Sequence, residues 1–165
     1  MQTRNLTLAA VLLLASCVAP PPQPAPRAAP TPPPVAAKPA PAPRLSGDWT
    51  YRRDNQGSVG SFGAPGQNAK VSLRCDAQNR RLYLAREASA GQKMVIRTSS
   101  SSKEFATRPR GTNPLYVTAE ILPNDAILDA MAFSRGRILL DAEGQQPVVL
   151  PSWAEITRIV EDCRG

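Results

Sequence analysis

The 165-residue sequence contains no histidine. Histidine is the most frequent general base near neutral pH and the most frequent protein ligand of transition metals, so its absence removes the usual hydrolase triads and most zinc sites. Aromatic residues are also scarce, at 5% of the chain. The sequence therefore predicts no catalytic residues, no metal site and no cofactor, and it indicates a protein that is not an enzyme.

Residues 45–165 have too small an excess of positive charge to indicate nucleic-acid binding. The formal net charge of the chain is +7, but residues 45–165 carry 16 Lys and Arg against 13 Asp and Glu, a balance of only +3. A basic patch or a strongly basic domain is the electrostatic signature of nucleic-acid binding. We therefore expect no nucleic-acid partner.

The first sixteen residues are organised as a secretory signal. Arg4 supplies a positive charge, and residues 6–15 (LTLAAVLLLA) form an apolar run broken only by Thr7. The run is too short for a membrane-spanning helix, which needs about 20 residues. It ends in residues 14–17 (LASC), which resemble the lipobox of bacterial lipoproteins, a leucine and two small residues before a cysteine.

The lipobox resemblance implies that Cys17 carries a lipid. It implies diacylglyceryl addition to the thiol, cleavage after residue 16, and acylation of the new amino terminus with a fatty acid such as palmitate. Several acyl chains give a far more durable membrane anchor than one chain. Position 18 is valine and not aspartate, which by resemblance to enterobacterial sorting favours the outer membrane, with the chain facing the periplasm. An ordinary secretory signal that contains a cysteine is the alternative.

Residues 17–44 are predicted to be a lipidated cysteine followed by a disordered tether. Residues 18–44 hold 12 prolines in 27 positions, and most of the others are alanine. Such a segment has almost nothing to bury and favours extended polyproline II, a semi-rigid spacer of at most roughly 80 Å. Docking of this segment into an aromatic-lined groove is the alternative. Its cations, Arg27, Lys38 and Arg44, are suited to anionic lipid or peptidoglycan.

From residue 45 onward, short alternating runs separated by turn residues predict a single β-rich periplasmic domain over residues 45–165. We expect a mainly β (α+β) fold, an antiparallel β-sandwich or sheet of short strands with two helices. Alternation points Val71, Leu73 and Cys75 towards the core, together with Leu82 and Leu84 of the next strand. The predicted strands cover residues 47–53, 69–75, 80–86, 93–98, 103–107, 115–121, 136–141 and 147–150.

Two helices are predicted beside these strands. Asn124 is the expected N-cap of a short helix over residues 125–135, and Gly136 marks its end. Residues 152–155 (SWAE) match the S-x-x-E capping box at the start of a C-terminal helix. The positions that follow at i, i+3, i+4 and i+7 form one apolar stripe facing the core: Ile156, Ile159, Val160 and Cys163.

Cys75 and Cys163 are the two thiols that remain if Cys17 is lipidated, since the chain has three cysteines. Both lie on predicted buried faces, and an exported domain folds in an oxidising compartment, so we expect a disulfide between them. It would close a loop of nearly ninety residues, for which the chain-entropy model gives about 4.6 kcal/mol. Two separate buried thiols are the alternative.

The order of features carries a resemblance to known proteins. It rests on residues 73–76 (LRCD), 96–100 (IRTSS), 125–140 (DAILDAMAFSRGRILL) and 150–164 (LPSWAEITRIVEDCR). The chain resembles small lipoproteins of alphaproteobacteria, those of the sphingomonad group especially. More distantly, it is similar in topology and cysteine placement to the type VI secretion accessory protein VasI and to invasion-associated locus B proteins. No catalytic residue follows from the resemblance.

One set of side chains is a candidate for ligand binding. Alternate residues of neighbouring strands align, so an arginine face is expected that suits an anionic glycan, a lipid headgroup or an acidic protein: Arg74, Arg81, Arg86 and Arg97. A solvated sheet face is the alternative. Glycine-rich residues 57–66 lack the Gly-Lys-Ser/Thr of a phosphate loop and are predicted to be a flexible loop.

Two further groups are explained without chemistry. Residues 99–102 are four serines with no base placed to activate them, and we interpret them as a turn. Asp125 and Asp129 are suited to the positive end of a helix dipole. The favoured hypothesis is a non-catalytic binding or accessory module of the cell envelope. The alternative is an inhibitor of a lysozyme or secreted protease, with residues 54–68 as the loop that would enter the enzyme cleft.

Overall fold

The computed structural model describes residues 41–89 and 91–165. The predicted signal peptide, Cys17 and tether residues 18–40 lie outside the described residues. Eleven elements follow one another in the described part: β1 (Asp48–Asp54), β2 (Gly57–Gly63), β3 (Val71–Asp76), β4 (Arg81–Glu87), β5 (Lys93–Arg97), β6 (Ser102–Arg110), β7 (Tyr116–Ile121), α1 (Ala126–Ala132), β8 (Ile138–Ala142), β9 (Val148–Leu150) and α2 (Ala154–Arg164).

The strands form one antiparallel sheet in the order β1-β2-β3-β4-β7-β6-β5-β8-β9. β6 joins its two parts, because residues 102–106 pair with β5 and residues 107–110 pair with β7. The prediction of a mainly β domain with an antiparallel sheet and two helices is confirmed. All eight predicted strands are present, with ends shifted by a few residues.

The segment just before β1 is hydrogen-bonded to β9, the strand at the other edge of the sheet, and we call this contact the seam. Leu45 N donates to Val149 O at 3.0 Å, and Val149 N donates to Pro43 O at 2.9 Å. Residues 43–45 therefore add a parallel partner to β9 just before the chain enters β1. Nearby, Trp49 Nε1 donates to Pro151 O at 3.1 Å. The sheet pairing thus begins two residues before the predicted domain boundary at residue 45.

The core lies between the inner face of the sheet and the two helices. The predicted alternation is seen in β3 and β4, where Leu73, Leu82 and Leu84 are at most 1% exposed. α2 packs against β1, β2, β3 and β4, and α1 packs against α2. The apolar stripe of α2 faces this core as expected, with four buried members: Ile156, Ile159, Val160 and Cys163.

Strand β2 replaces a predicted loop. Residues 57–66 were expected to be flexible because glycine is depleted in strands, yet Gly57–Gly63 pairs with both β1 and β3. Gly60 shows why this strand contains glycine, because a Cβ there would lie 2.4 Å from Ile159 Cδ1 of α2. Glycine is thus required where the helix approaches the strand closely, and the interpretation of residues 54–68 as one exposed loop is wrong.

Both predicted helix starts are corrected. Asp125, not Asn124, caps α1, since its Oδ1 accepts from Ile127 N at 3.1 Å. α2 begins after Trp153 with no side-chain cap. The Ser152 hydroxyl instead donates to Met131 O at 2.6 Å. The last carbonyls of a helix have no partner within it, so the end of α1 recruits the serine that the sequence pattern assigns to α2.

A disulfide joins Cys75 of β3 to Cys163 of α2, with the two Cα atoms 5.4 Å apart. The prediction of this pair is confirmed. It fixes the C-terminal end of α2 directly against the second half of β3. Tyr51 and Arg53 of β1 hold the same end, because both donate to the carboxylate of Asp162.

Candidate ligand-binding groove

The four arginines of the predicted basic face do not form one continuous surface. Arg74 points outward from β3, and both terminal nitrogens donate to Asp54 Oδ2, at 2.9 and 2.6 Å. Arg81 points outward from β4, and its Nε donates to Glu120 Oε1 at 3.0 Å. Arg97 is exposed at the end of β5, in the other part of the sheet. Arg74 and Arg81 are diagonal neighbours on the outer face of β3 and β4, each bound to a different carboxylate, and Arg97 lies apart from both.

Arg86 is not on the outer face at all. It is 6% exposed and lies on the same face of β4 as Leu82 and Leu84. Its guanidinium donates to Leu140 O at 2.9 Å and to Gln146 O. Burial lowers the pKa of Arg86, and the negative charge of Asp141 only partly opposes this. Including Arg86 in a ligand-binding face was wrong, because strand alternation points every second residue of β4 inward.

A groove runs over the outer face of β1, β2, β3, β4 and β7, with a volume of about 670 Å³. Its floor is a row of small side chains that the strand register aligns: Ser61 opposite Ser72, Ser72 opposite Ala85, and Ala85 opposite Thr118. Neighbouring strands are about 4.8 Å apart, so the row is about 14 Å long. It is long enough for an extended ligand to lie across the strands.

Larger side chains border this floor on both sides. The next outward row, two residues along each strand, contains Arg52, Arg74 and Tyr83. On the opposite border, Arg110 pairs with Tyr116. The Tyr116 hydroxyl donates to Ala69 O at 2.7 Å, so this side chain reaches from β7 towards β3. Burial raises the pKa of Tyr116, and Glu87 adds to the rise. The phenol therefore remains a neutral donor.

The groove is electropositive. Three arginines and no carboxylate line it. Arg74 is held by Asp54, and Arg52 approaches the same carboxylate at 3.9 Å. Arg110 has no ion pair within residues 41–89 and 91–165. The guanidinium groups of Arg52 and Arg110 are thus available for anionic groups of a ligand.

The floor contains a polar atom that the protein does not satisfy. Thr118 Oγ1 is buried and has no hydrogen-bond partner among the described residues. A buried hydroxyl without a partner costs about 1–3 kcal/mol. Such groups are uncommon in folded proteins, and each needs an explanation. Neighbouring atoms cover Oγ1, so a ligand in the groove would become its partner only after a small shift of the floor.

The groove is lined by guanidinium, phenol, hydroxyl and amide groups. Hydroxyls on its floor have no histidine to activate them, since the chain contains none. In the described part of the chain, no three acidic or cysteine side chains are grouped as metal ligands. Asp125 and Asp129, interpreted above as helix-dipole charges, form ion pairs with different cations, Asp125 with Lys103 and Asp129 with Arg164. The serine segment is a turn, with Thr98 N donating to Ser101 O at 2.8 Å.

Of the groove residues, the sequence analysis assigned only Arg74 to a binding site. It missed Arg110 and Thr118, and it did not assign Tyr83 or Tyr116 to a site. Their common signal is the strand register, which aligns them across strands far apart in the chain. That register depends on pairing β4 with β7, across a long connection that local patterns do not specify.

Comparison of the chain with protein-family models, with curated proteins and with solved structures finds no match. Neither helix of residues 41–89 and 91–165 combines the length and the apolar character needed to cross a membrane. The interpretation of the site therefore depends on its own geometry.

Proposed function

We propose that this chain is a lipid-anchored lipoprotein of the bacterial cell envelope, facing the periplasm, and that it acts as a non-catalytic binding module for an anionic envelope component. The observation that carries the binding role is the groove on the outer sheet face. Its borders supply arginines and tyrosines, and its floor supplies an unsatisfied hydroxyl. These groups suit a ligand with spaced anionic and hydroxyl groups.

The proposed location in the cell envelope has separate support. Residues 14–17 (LASC) after an apolar run resemble a lipobox, and the proline-rich segment that follows is suited to link a domain to a membrane anchor. The Cys75–Cys163 disulfide also fits a domain that folds in an oxidising compartment. Inhibition of an envelope hydrolase receives less support, because seven of the fifteen residues of its proposed loop form strand β2.

Peptidoglycan is the first probe, because its peptide carboxylates and sugar hydroxyls match the groove chemistry. The chain from residue 17 onward, carrying Cys17→Ser, is incubated with purified sacculi, and the bound fraction is measured against salt. Replacing Arg52 and Arg110 with Gln is expected to weaken binding about tenfold, since two charge-assisted contacts are lost.

Two matched variants test the location. Lys93→Gln with Lys103→Gln removes the same charge away from the groove, where both lysines pair with acids, and should bind as the parent does. Ala85→Phe fills the floor without changing charge and should abolish binding. Equal losses in the lysine and arginine variants would reduce the effect to net charge, and unchanged binding by Ala85→Phe would exclude the groove.

A further inference from the structure

Exposed aromatic side chains cluster where the two helices meet. Among the described residues, three large hydrophobic side chains are exposed, and two of them are Phe133 (76%) and Trp153 (42%). Phe133 follows the last residue of α1, and Trp153 precedes the first residue of α2. The Ser152 hydroxyl donates to Ala132 O at 3.2 Å, in addition to its bond with Met131 O, so the two helix ends are tied together.

Four arginines lie on the strands and in the turn next to this aromatic pair. The sheet register aligns Arg97 with Leu139, Leu139 with Val149, and Val149 with Arg44 at the seam. Arg135 and Arg137 are exposed in the turn that leads from Phe133 to β8. Gly136, Arg137 and Arg44 line one cavity of about 180 Å³.

These cations differ from most others in the domain. Within residues 41–89 and 91–165, none of the four forms an ion pair, whereas Arg74, Arg81 and Arg164 each bind a carboxylate. We call this set of six side chains the basal patch: Phe133, Trp153, Arg44, Arg97, Arg135 and Arg137. It shares no residue with the groove.

The tether enters the domain at the basal patch. Arg44 is the last residue of the proline-rich segment, and it pairs with Val149 of β9. With Cys17 lipidated, as the proposed function holds, this is the surface at which the chain arrives from the membrane. Aromatic side chains are enriched where proteins meet the lipid headgroups. Arginines near an anionic surface add electrostatic attraction that salt weakens.

We propose that the basal patch docks on an anionic lipid bilayer, with Phe133 and Trp153 at the headgroup level and the four arginines on lipid phosphates. The domain then lies on the membrane with its β8–β9 side down. The attachment is reversible and needs no lipidation of its own. Its chemistry is that of an interfacial surface, in which apolar side chains lie beside cations.

The test uses the chain from residue 17 onward with Cys17→Ser, so that any membrane binding comes from the protein surface. Vesicles of phosphatidylcholine with phosphatidylglycerol are compared with phosphatidylcholine alone, by co-sedimentation. Trp153 is a built-in reporter, because the other tryptophan, Trp49, is 6% exposed and inside the core. Anionic vesicles are expected to shift tryptophan emission to shorter wavelength, and neutral vesicles are not.

Phe133→Ser with Trp153→Ser is expected to weaken sedimentation with anionic vesicles about tenfold or more, since the two largest apolar contacts are lost. Arg135→Gln with Arg137→Gln should also weaken it and reduce its dependence on salt. Leu122→Ser is the matched control, because Leu122 is 50% exposed but lies before α1, away from the patch.

Unshifted emission, equal binding to neutral vesicles, or equal loss in Leu122→Ser would overturn the inference. These outcomes are separable from failure of the proposed function. The groove variant with Arg52→Gln and Arg110→Gln should bind vesicles as the parent does, and loss of lipidation at Cys17 is measured by a different assay.

Discussion

Thr118 is a residue at which stability and ligand binding are expected to oppose each other. Its buried hydroxyl has no partner within the described residues, so Thr118→Val should raise the free energy of unfolding by about 1 kcal/mol. The same change should weaken binding in the groove. Urea denaturation and the sacculus assay measure the two effects.

Thr107→Val is the isosteric control for this change, because Thr107 Oγ1 donates to Gly91 O at 2.9 Å. Breaking that bond should lower the free energy of unfolding by about 1 kcal/mol. If Thr118→Val destabilises the domain as Thr107→Val does, the hydroxyl is satisfied in the folded protein and the groove loses one of its arguments.

Arg86 is expected to act on stability alone. Its guanidinium donates to two backbone carbonyls, Leu140 O and Gln146 O, from a buried side chain. Arg86→Met keeps much of the apolar stem and leaves both carbonyls without that donor, so a loss of about 2–3 kcal/mol is expected. Thermal unfolding measures the loss. Peptidoglycan binding by the folded variant should match the parent, and a selective loss of binding would return Arg86 to the site.

At the scale of elements, the contact between β2 and α2 depends on one missing methyl group. Gly60→Ala puts a Cβ against Ile159 Cδ1, and this overpacking is expected to cost about 1–3 kcal/mol. Ile159→Val removes that terminal methyl. The double variant should therefore be more stable than the sum of the single changes indicates. Additive effects in denaturant titrations would show that α2 moves away from β2 instead.

The Cys75–Cys163 disulfide is expected to supply a large part of the stability. Cys75→Ala with Cys163→Ala should lower the free energy of unfolding by about 2–5 kcal/mol under non-reducing conditions. Most of the difference should vanish when parent and variant are compared in reductant. The premise has its own check, since a thiol assay on denatured, unreduced domain should detect neither cysteine.

Elements with a clear period were predictable and those shaped by distant partners were not. The alternation of β3 and β4 and the apolar stripe of α2 are local, so both cysteines could be placed inward. β2 was missed because the glycine at position 60 is required by the close approach of α2, which lies about a hundred residues later in the chain. The Arg86 error was avoidable, because the alternation of its own strand already points it inward.

At the scale of the whole molecule, the proposed anchoring depends on Cys17. Cys17→Ser should leave an unprocessed precursor that incorporates no labelled palmitate, because the thiol is the acceptor of the first lipid group. Metabolic labelling followed by immunoprecipitation measures this, with Ser46→Ala, at the far end of the tether, as a control that should label normally. Label in the Cys17→Ser protein, or none in the parent, would contradict the lipoprotein proposal.

The seam also sets how the domain responds to pulling. A force along the tether reaches residues 43–45 first, where two backbone hydrogen bonds join the chain to Val149. Once they break, the bond from Trp49 Nε1 to Pro151 O is the next connection near β1. The Cys75–Cys163 disulfide lies further along the chain than these two contacts. It keeps β3 joined to α2 unless the force is large enough to break a covalent bond. Under tension the sheet is therefore expected to open at its seam, like a clasp, while the disulfide keeps β3 and α2 joined.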